Sequence, residues 1–141
     1  MDYKQFVATV QEKSGLPKAD SLKVIEAVLA TLGERLSKKR REHLAAQLPK
    51  ELKPFVLEHS TTDLCSLEVF YQRVAKRAGL SFHNSITHCG AVLEVVAQAI
   101  AAGELKDIFA ELPPEFDALR GRLPEQISNT TADAHQLYSK Q

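Results

Sequence analysis

Ile86, Cys89, Leu93, Val96 and Ile100 recur at alternating spacings of three and four. That spacing places them on one stripe of an α-helix. Val92, Val95 and Ala99 form a second stripe beside the first, so Phe82–Ala102 reads as a helix that is apolar over most of its surface. Such a helix belongs inside a bundle rather than on its outside. The same stripe occurs earlier as Leu22, Ile25, Leu29, Leu32 and Leu36, each 64 residues before its counterpart. The offset holds without insertion or deletion from Phe6/Phe70 to Phe55/Leu119. The chain therefore reads as an internal duplication with one buried helix in each half.

Capping and breaking residues mark the elements. Asp2 suits the N-cap of a helix over Tyr3–Ser14, with Phe6, Val7 and Val10 facing inward, and Gly15 suits its end. Pro17 fits the first turn of a long helix, Pro17–Leu36. Ser37 can cap a third helix over Lys38–Gln47, and Pro49 opens a short fourth in which Leu52 and Phe55 share a side. Pro54 ends or kinks that helix. After a polar linker the plan repeats. Ser66 caps Leu67–Ala78, Gly79 ends it, and Ser81 caps the second long helix. Gly103 is expected to stop that helix, Glu104–Leu112 makes the next, and Pro113-Pro114 opens the last. Strand signals are missing: β-branched residues alternate nowhere, and Asn-Gly and Asp-Gly pairs do not occur.

The expected fold is all-α. Two tandem four-helix repeats, residues 1–58 and 66–120, flank a linker at 59–65 and pack as one compact helical bundle with internal pseudo-symmetry. A pseudo-twofold arrangement is preferred to a head-to-tail stack, and the two long helices should touch. Residues 121–141 read as a partly mobile C-terminal extension with a last turn near Ala134–Tyr138.

Composition adds bounds. An apolar content of 44% with 26% charge is ordinary for a globular protein. No run is long and apolar enough to span a bilayer, and the N-terminus lacks the basic and apolar regions of a signal peptide, so a cytoplasmic setting is expected. Two cysteines make no disulfide framework. Cys89 replaces Ile25 on the buried stripe and should behave as a small hydrophobe, whereas Cys65 in the linker could be exposed. Net charge is zero but uneven. Residues 1–58 carry eleven Lys/Arg against eight Asp/Glu, and residues 59–141 carry seven against ten.

Beyond this plan, Phe6-x3-Val10, Gly15-Leu16-Pro17, Ala27-Val28-Leu29 and Ala45-Ala46-Gln47-Leu48-Pro49-x-Glu51-Leu52 form a signature. The second half repeats it as Phe70, Gly79-Leu80, Ala91-Val92-Leu93-Glu94, Gly103-Glu104-Leu105 and Glu111-Leu112-Pro113-x-Glu115-Phe116. The chain resembles, over about Tyr3–Leu119, the bacterial family catalogued as domain of unknown function 2267. The resemblance implies an all-helical, soluble, cytoplasmic protein with a stress-associated or housekeeping role, and carries no functional residues with it. The first half departs from the family at Lys38–Arg41, where the second has Gly103-Glu104.

That run, Lys38, Lys39, Arg40 and Arg41, is the one candidate anion- or partner-binding site in the sequence. Cations at a helix N-terminus oppose the helix dipole and one another, and a bound phosphate would relieve both. A solvated turn is the preferred explanation of the run, because nucleic-acid binding usually needs a basic face across the domain, and the chain is neutral overall without stacking aromatics beside the run. No catalytic, cofactor or metal residues are assigned. His83 and His88 are five apart and do not share a helical face; His88 and Cys89 are adjacent. Glu34, Glu94, Glu111 and Glu115 read as solvated helical carboxylates, with Glu51 and Glu115 favouring helix N-termini. Phe6, Phe55, Phe70, Phe109 and Phe116 read as core. The expected function is a non-catalytic interaction or adaptor protein with a protein partner. The runner-up is an anion or nucleic-acid binder using the basic run, and an enzyme with a pocket between the repeats is the third. No membrane partner is expected, and self-association is left open.

Overall fold

The capping residues do what their chemistry suggests. In a computed structural model describing residues 1–120, the Asp2 carboxylate accepts from the Gln5 amide while the Gln5 side chain accepts from the Asp2 amide. This capping box starts α1, Tyr3–Ser14. Ser37, Ser66 and Ser81 cap α3 (Lys38–Gln47), α5 (Leu67–Ala78) and α6 (Phe82–Ala99) in the simpler way, each hydroxyl accepting one amide. Gly15 and Gly79 end α1 and α5 at φ +74° and +72°, a conformation that glycine adopts without strain. The remaining elements are α2 (Lys18–Arg35), α4 (Lys53–Val56), α7 (Ala102–Glu111) and a 3-10 helix over Pro114–Arg120. The described residues contain no strand, and none of their helices is long and apolar enough to cross a membrane.

α2 and α6 touch each other at the centre, as their apolar surfaces demand. The first helix of each half crosses to the long helix of the other: α1 packs on α6 as well as α2, and α5 packs on α2 as well as α6. α3 meets α7. One continuous core results, and Phe6, Leu29, Phe70, Leu93 and Phe116 all lie within it. α4 packs on α2 at Gly33, where a Cβ would fall 2.1 Å from the Val56 carbonyl oxygen. Only glycine allows that approach.

Several expectations need correction. α6 ends at Ala99, not Ala102. Ile100 takes an extended conformation (φ −118°, ψ 165°) that turns its side chain into the core. Gly103 therefore lies inside the first turn of α7 and stops nothing. Pro17 is the extended N-cap of α2 rather than part of its first turn. The fourth helix of the first half shrinks to Lys53–Val56, with Pro54 in its first turn, where a missing N–H costs no hydrogen bond. Its counterpart is 3-10 rather than α. Phe55 is half-buried, and Leu22 is too. Ile86, the first member of the buried stripe, is 40% exposed. Cys65 is half-buried against the core. The C-terminal extension and its expected last turn lie outside the described residues.

Candidate functional site

The four cations of the basic run go to three different places. Lys38 and Lys39 point outward and are exposed. Arg40 is half-buried against α7. Its guanidinium donates to both Glu104 carboxylate oxygens (3.1 and 3.2 Å) and lies 3.6 Å from Asp107 and 3.7 Å from Glu111. Burial alone would ease the proton off Arg40. The Glu104 hydrogen bond and the three carboxylates outweigh it, and the group is held above its ordinary value.

Arg41 is only 3% exposed. Its Nε–H donates to the Gly33 carbonyl at 2.8 Å, and Nη2 donates to the Leu36 carbonyl and the Thr62 hydroxyl, both at 3.0 Å. Nη1 reaches the Ser60 carbonyl at 3.5 Å. A cation here satisfies carbonyls at the end of α2 and fastens the linker to them. The Arg35 Nε–H adds a bond to the Cys65 carbonyl at 3.0 Å, and the Asp63 amide donates to the Glu34 carbonyl at 2.8 Å. The run therefore supplies two structural arginines and two exposed lysines.

The repeat itself carried a signal for this. Position 41 corresponds to Leu105, a core residue, so Arg41 had to point inward. Position 40 corresponds to Glu104, so one register position bears opposite charges in the two halves. Hydrogen bonds around that pair are also reciprocal in register. The Ser37 amide and hydroxyl donate to Glu111, and the Ala101 amide donates to Gln47, where 101 and 111 are the counterparts of 37 and 47.

Of the carboxylates expected to be solvated, Glu111 and Glu115 are exposed, while Glu34 and Glu94 are half-buried, and all four have partners within the fold. Glu34 lies 3.2 Å from Arg73 and 3.1 Å from Arg77, Glu94 lies 3.3 Å from Lys13, and Glu115 accepts from the Leu67 amide at the start of α5. The described residues contain no cluster of His, Cys, Asp and Glu able to hold a metal ion. Burial pushes the Cys89 thiol well up, and Cys65 is raised by burial that Arg73 and Arg35 only partly offset. Neither is an activated thiolate.

Two grooves open where a first helix crosses the opposite long helix. One, of about 310 Å³, lies between α1 and α6 and is lined by Lys13, Ile86, Gly90, Ala91 and Glu94, with Tyr71 and Ala118 at its sides. The other, of about 240 Å³, lies between α5 and α2 and is lined by Lys23, Glu26, Ala27, Ala30 and Arg77, with Phe55, Glu58 and His59. Lys13 and Arg77 share a register position, as do Gly90 and Glu26, and Ala91 and Ala27.

The first groove carries the more distinctive rim. Phe82 and Ile86, one helical turn apart, are 43% and 40% exposed. The Phe82 ring stands edge-on to Tyr71 with centroids 6.1 Å apart. Burial, with Cys89 nearby, pushes the Tyr71 phenol up to about 12, so it stays neutral at working pH. Ile86 thus lines the groove that also holds the Lys13–Glu94 ion pair, and Phe82 continues its exposed apolar face one turn toward the start of α6.

Among curated proteins none matches the chain. Residues 3–119 match the family described as "Uncharacterized conserved protein (DUF2267)". That stretch runs from the start of α1 to the penultimate residue of the 3-10 helix and includes both grooves and the Arg40–Glu104 contact. The chain belongs to this DUF2267 family.

Proposed function

We propose that the protein is a non-catalytic interaction module made from two copies of one helical unit related by a pseudo-twofold axis near Arg40–Glu104, and that it docks a partner protein at the groove between α1 and α6. It works in this reading as a soluble bacterial protein of the cytoplasm, in a stress-associated or housekeeping role. The observation that carries it is the exposed pair Phe82 and Ile86: Ile86 lines the groove together with Lys13 and Glu94, and Phe82 extends the apolar surface one turn further along α6. Large apolar side chains pay off in free energy when a partner covers them, and an adjacent ion pair fixes which partner fits. The partner segment carries an aliphatic or aromatic side chain next to a charged one.

A photo-crosslinking residue placed at Ile86 in the native host tests this. It is expected to trap a discrete polypeptide, with Phe82→Glu cutting the yield at least about tenfold, the scale of one interface hot spot. The same probe placed at the exposed Glu42 is expected to trap none of it. Equal adducts at both positions would contradict the reading. The competing reading is anion or nucleic-acid binding through Lys38 and Lys39, since Arg40 and Arg41 are engaged within the fold. Duplex DNA or RNA binding that falls steeply with salt and disappears in Lys38→Glu/Lys39→Glu would favour that reading instead.

A further inference from the structure

Each half of the chain completes its packing on the other. α1 packs on α6, α5 packs on α2, and α2 meets α6 at the centre. The seam also joins unlike groups. Arg40 of the first half bonds Glu104 of the second at 3.1 Å, the Ser37 amide donates to Glu111, and the Ala101 amide donates to Gln47. None of these contacts requires the two halves to belong to one chain. The linker at 59–65 alone decides that, and it is fastened to the end of the first half. Arg41 donates to the Ser60 carbonyl and the Thr62 hydroxyl, and that hydroxyl donates to the Leu36 carbonyl. The Asp63 amide donates to the Glu34 carbonyl, and the Arg35 Nε–H donates to the Cys65 carbonyl. Residues 60–64 are nonetheless exposed, Leu64 to 75%. These bonds hold a path across the surface.

We infer that two copies of this chain exchange halves, residues 1–58 of each packing on residues 66–120 of the other, and that the ties from Arg41 and Arg35 to the linker hold this exchange in check.

An exchanged dimer keeps every contact between the halves and gives up linker bonds. Once released, residues 59–65 span up to about 23 Å, the length over which the second half can move away from the first. The charges select this dimer over others. Position 40 corresponds to 104, so two first halves paired in the same way would set Arg40 against Arg40, and two second halves would set Glu104 against Glu104. Entering or leaving the dimer opens the shared core, so a dimer once formed dissociates as slowly as the fold opens. Each α1/α6 groove in it combines Lys13 of one chain with Glu94 of the other. That gives two docking faces on one particle, a consequence that rests on the proposed docking face, whereas the exchange is tested without any partner.

The test uses two full-length variants. Arg40→Glu sets a carboxylate beside Glu104, and Glu104→Arg sets a second guanidinium beside Arg40, so neither keeps the pair within one chain. In a mixed exchanged dimer the altered first half meets the altered second half, and the two native halves meet each other. Unfolded in urea and refolded together, the variants are expected to give a dimer that persists on dilution, in at least about tenfold higher yield than either gives alone. Light scattering on the eluting species measures it. The double variant Arg40→Glu/Glu104→Arg restores the pair within one chain and should return to the wild-type yield. A second measurement leaves the seam intact. Wild-type chains carrying two different affinity tags, refolded together at high concentration, should form dimers bearing both tags. Arg41→Met should raise their yield severalfold and Lys39→Met should not. Charge variants that refold together only as monomers overturn the inference, as do dimers that fall apart on dilution or are no more abundant in Arg41→Met. If exchange fails while the Ile86 crosslink to a partner forms, the docking face stands. If exchange succeeds without that crosslink, the docking face falls alone.

Discussion

Replacing Arg41 with Met is expected to lower the unfolding free energy by about 3 kcal/mol, from lost charge-assisted hydrogen bonds and a buried carbonyl left unpaired. Met fills much of the same volume, so the loss reports the guanidinium rather than a cavity. The Gly33 carbonyl, which accepts from Arg41 at 2.8 Å, loses that donor, whereas the Leu36 carbonyl still accepts from the Thr62 hydroxyl at 2.8 Å. Ser60 and Thr62 lose their hydrogen bonds to Arg41 on α3, which leaves the Thr62–Leu36 bond to hold that part of the linker. Urea unfolding measures the effect as a lower midpoint at unchanged slope. The neighbouring Lys39→Met, on an exposed side chain, should change the unfolding free energy by no more than about 0.5 kcal/mol. Equal effects at the two positions would remove the distinction between structural and surface members of the run.

The second large effect falls at the centre of the molecule. Leu29→Ala and Leu93→Ala are each expected to cost about 3–5 kcal/mol, the transfer free energy of the lost methyl and methylene groups plus the cavity left behind. Leu29 is fully buried and Leu93 is 1% exposed. They occupy the same register position in the two long helices. Because α1 packs on α6 and α5 on α2, each cavity opens into packing shared by both halves. Thermal unfolding followed by circular dichroism should show similar shifts for the two variants. A loss under about 1 kcal/mol at either leucine would show that its neighbours collapse into the gap.

The fold was legible because its signals are local and repeated. Asp2, Ser37, Ser66 and Ser81 each cap the helix that follows, and Gly15 and Gly79 each end the one before. A hydroxyl or carboxylate satisfying free amides acts within one turn, so spacing alone reveals it. The end of α6 was misplaced because Ala101, Ala102 and Gly103 carry no strong stop, and the break is made by Ile100 entering the core. That is a tertiary cause with no local mark. Ile86 was assigned to the core for the converse reason. Periodicity gives the face a residue lies on, not whether a neighbouring helix reaches far enough along to cover it.

The basic run shows a different limit. Read by composition, Lys38–Arg41 is one charged patch. Read by register against Gly103-Glu104-Leu105, it divides into residues that point to α7, into the core, and to solvent. The groove between α1 and α6 had no sequence mark, because its two walls belong to helices more than 60 residues apart, with Lys13 on α1 meeting Glu94 on α6. Its Lys13 wall is present only if α1 crosses from the first half to the second.

Whether the halves interlock in that way is measured most directly by calorimetry on the wild type and on the Leu29→Ala and Leu93→Ala variants. One transition is expected, with calorimetric and van't Hoff enthalpies equal, and either substitution should move all of it. Two transitions, one shifted only by Leu29→Ala and the other only by Leu93→Ala, would mean that the halves fold apart and that α1 does not build the groove on α6.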